Sequence, residues 1–270
     1  MYRKILVLFL AVLMLCFVGC NKEEIVSDLP EVSAPIESEP EIVYYKNPLT
    51  GVENLTLEQS QNRPVAVMVN NISIAQKVQA GLTKADIVYE AYAEGGITRL
   101  LAVFKDISTA SNIGTVRSAR YSYIDLAMGH DAVYIHAGIN ESHATPHVKE
   151  TGIDNINLLH GAYDQYSFRE KNGKSYEHTL YTSGAKISKG LKELKWRTEL
   201  KNNKGLWQNF VSEGEEVTPA TDGKGGQCQS IKVTMSNSYI SKFEYDSATK
   251  TYKKFSGNDK HKDYKSGNIK

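Results

Sequence analysis

The chain has 270 residues, 41% of them hydrophobic and 23% charged, with a formal net charge of +1. That length carries one large domain or two small ones around a real core, and that balance excludes an intrinsically disordered chain. A net charge this small calls for no nucleic acid, so the distribution of charge is the informative quantity.

Arg3 and Lys4 precede an apolar run, Ile5 to Phe17, of signal-peptide length and shorter than a membrane-spanning helix needs. The run closes with Phe17-Val18-Gly19-Cys20, which resembles a bacterial lipobox with Phe17 where leucine is usual. That resemblance implies that residues 1–19 are a lipoprotein signal peptide and that Cys20 becomes the diacylated N-terminus. An uncleaved anchor would leave the body on the same extracytoplasmic face of the cell membrane. Residues 21–42 hold seven acids against Lys22 and contain Pro30, Pro35 and Pro40 without any hydrophobic period. Such a stretch cannot bury enough apolar area to offset its ordering entropy, so residues 20–42 read as a self-repelling acidic tether. With Cys20 acylated, no intrachain disulfide remains, and Cys228 reads as a small buried hydrophobe in a strand. A second charge asymmetry lies at the other end, where seven lysines between Lys250 and Lys270 face only Asp259 and Asp263.

The body begins near residue 43. Val65 to Asn70 is a continuous apolar run after Pro64 and reads as a central strand buried on both faces. Ala75 to Leu82 reads as loop or a single helical turn. Ala85 to Glu94 alternates, breaks at Gly95-Gly96, and is followed by Thr98 to Phe104, the pattern of a hairpin. Period two puts Asp86, Val88, Glu90, Tyr92 and Glu94 on one face, which is either solvated or part of a site, with Arg99 beside the turn to pair with one carboxylate.

Gly114 to Gly138 (GTVRSARYSYIDLAMGHDAVYIHAG) is the stretch around which the chain is organised. Ser118 is a candidate cap for a helix Ala119 to Met128 that ends at Gly129, leaving Arg117 and Arg120 at the helix N-terminus. Free N–H groups, the positive end of the helix dipole and two guanidinium forks together make a site for phosphate or carboxylate. The alternative is that the arginines bind the protein's own acids, such as Glu90, Glu94 or Asp125. Ala132 to Gly138 reads as a further strand that brings His136 to its end, in reach of a pocket at the strand termini. Glu141, His143 and His147 lack the spacing of a helical metal motif, and Pro146 fits the first helical position after a Thr145 cap, so no metal site is expected there. Asp154 to Gly173 reads as a long loop with Tyr163, Tyr166 and Phe168 packing inward. Ser183 caps an amphipathic helix to about Leu194, Trp207 to Val211 is a short strand, and strands at Ser230–Met235, Ile240–Tyr245 and Thr251–Phe255 make a second unit.

Taken together, RPVAVMVNN from Arg63, GLTKADIVYEAYAEGGITRLLAVF from Gly81, GTVRSAR from Gly114, DAVYIHAG from Asp131 and HTLYTS from His178 resemble the YerB-like lipoproteins of Gram-positive bacteria, whose domains have no described function. Glu177 stands where the family pattern leads one to expect proline. The resemblance implies a mixed α/β (α+β) fold: a mixed-sheet N-terminal domain over residues 43–212 and a smaller, incomplete β-rich region over 213–270. It carries no reaction and implies no cofactor. The residues point to an anionic ligand, a cell-wall polymer or an envelope protein, bound by Arg117, Ser118 and Arg120 with Arg99, Glu90, Glu94 and His136 lining the pocket. A hydrolase or lyase using Glu90 or Glu94 as base and His136 as acid is the first alternative, and a scaffold for another envelope protein the second.

Overall fold

The computed structural model describes residues 43–201, 208–212, 214–215 and 225–269. The stretches expected as signal peptide and tether lie outside the described residues, as does Trp207; the residues just after it, 208–211, form no strand.

Two short strands, β1 (Tyr45–Lys46) and β2 (Glu53–Leu55), and helix α1 (Leu57–Gln61) lead into β3 (Val65–Asn70). Then follow α2 (Ser73–Gln76), β4 (Ile87–Tyr92), β5 (Thr98–Phe104), β6 (Ile113–Gly114), α3 (Tyr121–Gly129) and β7 (Val133–His136). The N-terminal part finishes with α4 (Ala144–Thr151), β8 (Asn155–Asn157), β9 (Phe168–Arg169), β10 (Leu180–Thr182) and α5 (Gly184–Glu193). A five-stranded sheet in the order β4-β5-β3-β7-β8 is the frame, with β6, β10 and β9 in a small sheet beside it.

All six residues of β3 are buried, as the unbroken apolar run predicts for a strand covered on both faces. Its side chains alternate between two cores. Val65, Val67 and Val69 join Leu100, Phe104, Ile113, Ile187 and Leu191 on one face. Ala66 and Met68 join Leu101, Val103, Tyr123, Ile124 and Ala127 on the other, beneath α3. β3 runs antiparallel to β5 and parallel to β7, which is parallel in turn to β8. The β4–β5 hairpin forms as its alternation implies.

The helix boundaries move where other bonds compete. α3 starts at Tyr121, with Arg120 at the cap position and no side-chain cap, so Ser118 does not cap it. α4 starts at Ala144 with His143 at the cap, which puts Pro146 at the third helical position and not the first. The proline is still tolerated there, because the first four N–H groups of a helix have no acceptor within it. Ser183 does cap α5, accepting from the Lys186 N–H at 3.3 Å. The loop expected over 154–173 contains β8, whose one buried apolar residue, Ile156, is too short a pattern to announce a strand.

β11 (Ser230–Ser236), β12 (Tyr239–Asp246), β13 (Thr251–Ser256) and β14 (Asp259–Lys260) form an antiparallel meander within the same compact unit. The architecture is therefore α+β, with a mixed sheet and a separate β-rich sheet. The meander docks through polar contacts: Asp263 Oδ2 accepts from the Gly81 N–H at 2.7 Å, the Tyr264 N–H donates to the Gln79 carbonyl at 2.7 Å, and the Ser236 hydroxyl donates to the Gly96 carbonyl at 2.9 Å. Cys228 is exposed and precedes β11, so it is neither buried nor in a strand.

Candidate functional site

β3 and β7 pair only at their first three residues, Val65–Val67 with Val133–Ile135. Beyond that point the GTVRSAR segment inserts between them. The Arg117 N–H donates to the Met68 carbonyl at 3.0 Å, and the Arg117 carbonyl accepts from the Ala137 N–H at 2.9 Å. The Asn70 N–H donates to the Thr115 carbonyl and the Ala119 N–H to the Gly138 carbonyl. These bonds hold residues 115–119 extended and postpone the helix to Tyr121. They also set the arginines at the C-terminal ends of two parallel strands, the place where open α/β sheets bind ligands. Gly138 has φ +83°, and a Cβ there would sit 3.0 Å from the Ser118 hydroxyl, so the close approach requires glycine.

Arg120 occupies the helix cap position, where an acceptor side chain is favoured and a cation faces the positive end of the dipole. The nearest compensation comes from Glu94, on the turn after β4. Arg120 Nε donates to Glu94 Oε2 at 2.6 Å and its Nη2 to Oε1, while Arg99 Nη2 reaches the same Oε1 at 3.3 Å. Arg99 Nη1 donates to the Ser118 carbonyl at 2.5 Å. The Arg120 bonds, then Arg99 and Arg117, hold the Glu94 carboxyl below its ordinary range. Arg99 shows the opposite imbalance: burial first, then the charge of Arg120, push its guanidinium down to about 10. The cluster is short of negative charge.

Arg117 turns to a second carboxylate. Its Nη2 donates to Glu177 Oε2 at 3.2 Å and its Nη1 to the Glu177 carbonyl at 3.3 Å. Glu177 Oε1 lies 3.2 Å from His178 Nε2, and His178 Nδ1 faces Asn70 Nδ2 at 3.1 Å. An amide N–H pointing at Nδ1 makes that nitrogen the acceptor, so the proton sits on Nε2, and burial keeps the ring neutral by lowering its pKa.

Of the residues expected in the pocket, Arg99, Arg117, Arg120 and Glu94 come together, and Ser118 contributes its carbonyl instead of its hydroxyl. Glu90 does not join them. It accepts from Asn71 and Thr98 through Oε1 and from Ser241 and Lys254 through Oε2, at 2.7 to 3.0 Å. Burial pushes its carboxyl up, but Lys254 and these hydrogen bonds outweigh it and hold the group below its ordinary value. His136 bonds to the Gly138 carbonyl at 2.7 Å and faces Asn155 at 3.0 Å, and burial lowers its pKa. Neither is free for acid–base work. Glu177, His178 and Asn70 escaped the sequence reading as site residues; the signals were the motifs RPVAVMVNN and HTLYTS, which hold Asn70 and His178, and the departure at Glu177, whose pairing with Arg117 spans 60 residues. His147 is spent on Asp125 at 2.6 Å under a stacked Tyr121. Among the described residues no three His, Cys, Asp or Glu side chains are grouped to hold a metal, and no helix is long and apolar enough to cross a membrane.

The chain has solved and sequenced relatives. The chain is 36% identical over 163 residues to a Bacillus subtilis (strain 168) protein named "Putative lipoprotein YerB", a match covering 60% of this chain and 47% of that one. It thus spans about half the length of that relative. The crystal structure of the YerB protein from Bacillus subtilis is similar with a TM-score of 0.65 and 29% identity, over 83% of this chain and 71% of the other. Residues 49–197 match the family described as "Protein of unknown function (DUF3048) N-terminal domain", and the chain belongs to that family.

Proposed function

We propose that the protein is a lipid-anchored extracytoplasmic lipoprotein that binds an anionic cell-envelope ligand through Arg99, Arg117 and Arg120. Cys20 carries the anchor, residues 1–19 are removed, 20–42 are the tether, 43–212 form the binding domain, and 213–270 form the β-rich region. The lipobox-like ending at Cys20 and the name of the Bacillus subtilis relative support the anchor and its place on the outer face of the membrane. The observation that carries the binding reading is the gathering of three arginines at the ends of β3 and β7, beside an uncapped helix N-terminus. Cell-wall carboxylates and phosphate polymers have the matching chemistry.

The test is titration of the body, residues 43 onward, with soluble polyphosphate and with solubilised wall polymer. Arg120→Ala and Arg117→Ala each lower affinity about tenfold or more, the worth of one charge-assisted hydrogen bond. Binding that survives both substitutions unchanged would place the ligand elsewhere.

A further inference from the structure

The cations of this cluster lie inside and its anions face solvent. The side chains of Arg99, Arg120 and Arg117 are 8%, 17% and 24% exposed, whereas Glu94 and Glu177 are 53% and 57% exposed. Arg99 is further tied to the Ser118 carbonyl and Arg120 to the Ala119 carbonyl at 2.8 Å. Glu94 stands on a turn whose next two residues, Gly95 and Gly96, have φ of +59° and +73°. A Cβ at Gly95 would meet nothing within 4 Å. Glu177 lies in the short 3-10 turn Tyr176–His178. Two guanidinium groups hold Glu94 and a third holds Glu177, so three positive charges face two negative ones.

We propose that Glu94 and Glu177 are built-in counter-ions that occupy the places of two anionic groups on the ligand, and that binding displaces them. This rests on the reading of the arginine cluster as the binding site. It also narrows the ligand class. A molecule with a single carboxylate or phosphate exchanges one internal ion pair for an external one. A ligand with two linked anionic groups replaces both, and its second contact forms at high effective concentration. Carboxylate and phosphoryl oxygens both fit the guanidinium forks. The internal carboxylates also keep the arginines paired when no ligand is present, when the charge of Arg120 and Arg117 would otherwise act unopposed on the buried Arg99.

The experiment compares pyrophosphate and inorganic phosphate on the same body by calorimetry, in wild type, Glu94→Gln, Glu177→Gln and Arg120→Ala. Glu94→Gln binds pyrophosphate tighter by on the order of tenfold, the factor lost when the open site is populated about one-tenth of the time. Glu177→Gln moves in the same direction, pyrophosphate gains more than phosphate in both, and Arg120→Ala weakens the binding by about tenfold or more. Glutamine keeps the size of the exposed side chain, and thermal melting alongside the titrations reports the fold of each variant. If wild type binds and Glu94→Gln and Glu177→Gln bind equally or more weakly, the counter-ion proposal is overturned while the site stands. If no variant binds either probe, the site reading falls and the proposal with it.

Discussion

Lys254→Met is the most informative perturbation of the fold. Lys254 and Glu90 pair at 2.8 Å with side chains only 15% and 17% exposed, and both also contact the Ser241 hydroxyl. Removing the ammonium leaves the Glu90 carboxylate buried with three neutral donors, Asn71, Thr98 and Ser241. Breaking a buried pair by removing one partner costs about 3–5 kcal/mol, and the surviving donors put this case near the lower end, at about 3 kcal/mol. For a domain of this size that lowers the melting temperature by about 6–12 °C. Urea unfolding followed by circular dichroism reads the change directly. The double variant Glu90→Gln/Lys254→Met buries no charge, so it regains about 2 kcal/mol over Lys254→Met alone. A single-variant loss below about 1 kcal/mol, or a double variant no more stable than the single, would refute the claim that a desolvated charge pair joins the two sheets.

Two further perturbations follow from the same geometry. A Cβ at Gly184 would lie 1.9 Å from the Ile107 carbonyl oxygen, so Gly184→Ala must shift backbone at the start of α5 and costs about 1–3 kcal/mol or more; an unchanged urea midpoint would contradict the packing. His136 is buried with a lowered pKa, so the unfolded chain takes up its proton first as pH falls below about 6.5. Its contribution is complete above that pH and is lost below it, at up to about 1.4 kcal/mol per pH unit. His136→Gln therefore flattens the acid limb of a stability–pH curve, and an identical slope in the variant would mean the ring titrates normally.

Local rules made much of this readable. The unbroken run Val65–Asn70 announced a strand with two covered faces, and the double glycine placed Arg99 against a carboxylate of its own hairpin. Arg117 and Arg120 were recognisable by their position before an apolar helical period. What escaped depended on long-range bonds. The helix start moved because Met68 and Gly138 claim the backbone of Arg117 and Ala119. Period two set Glu90 and Glu94 on one face, but β4 ends at Tyr92. Glu94 on the turn swings to Arg99 and Arg120, on the α3 side, while the meander captures Glu90 from a distance of 151 to 164 residues on the other side. Glu177 bore no local mark of its pairing with Arg117. Cys228 lies outside its expected strand, so burial in the sheet never reached it.

The clamp on β4 has one more consequence. Glu94 lies between two points gripped by the far sheet: Glu90, held by Ser241 and Lys254, and Gly96, whose carbonyl accepts from Ser236. The few residues carrying that carboxylate are thus suspended between two attachments on one sheet. The meander acts as a handle on the hairpin tip. Force or torque applied to β11–β14 is delivered, through a lever only a few residues long, to the carboxylate that sits on Arg99 and Arg120.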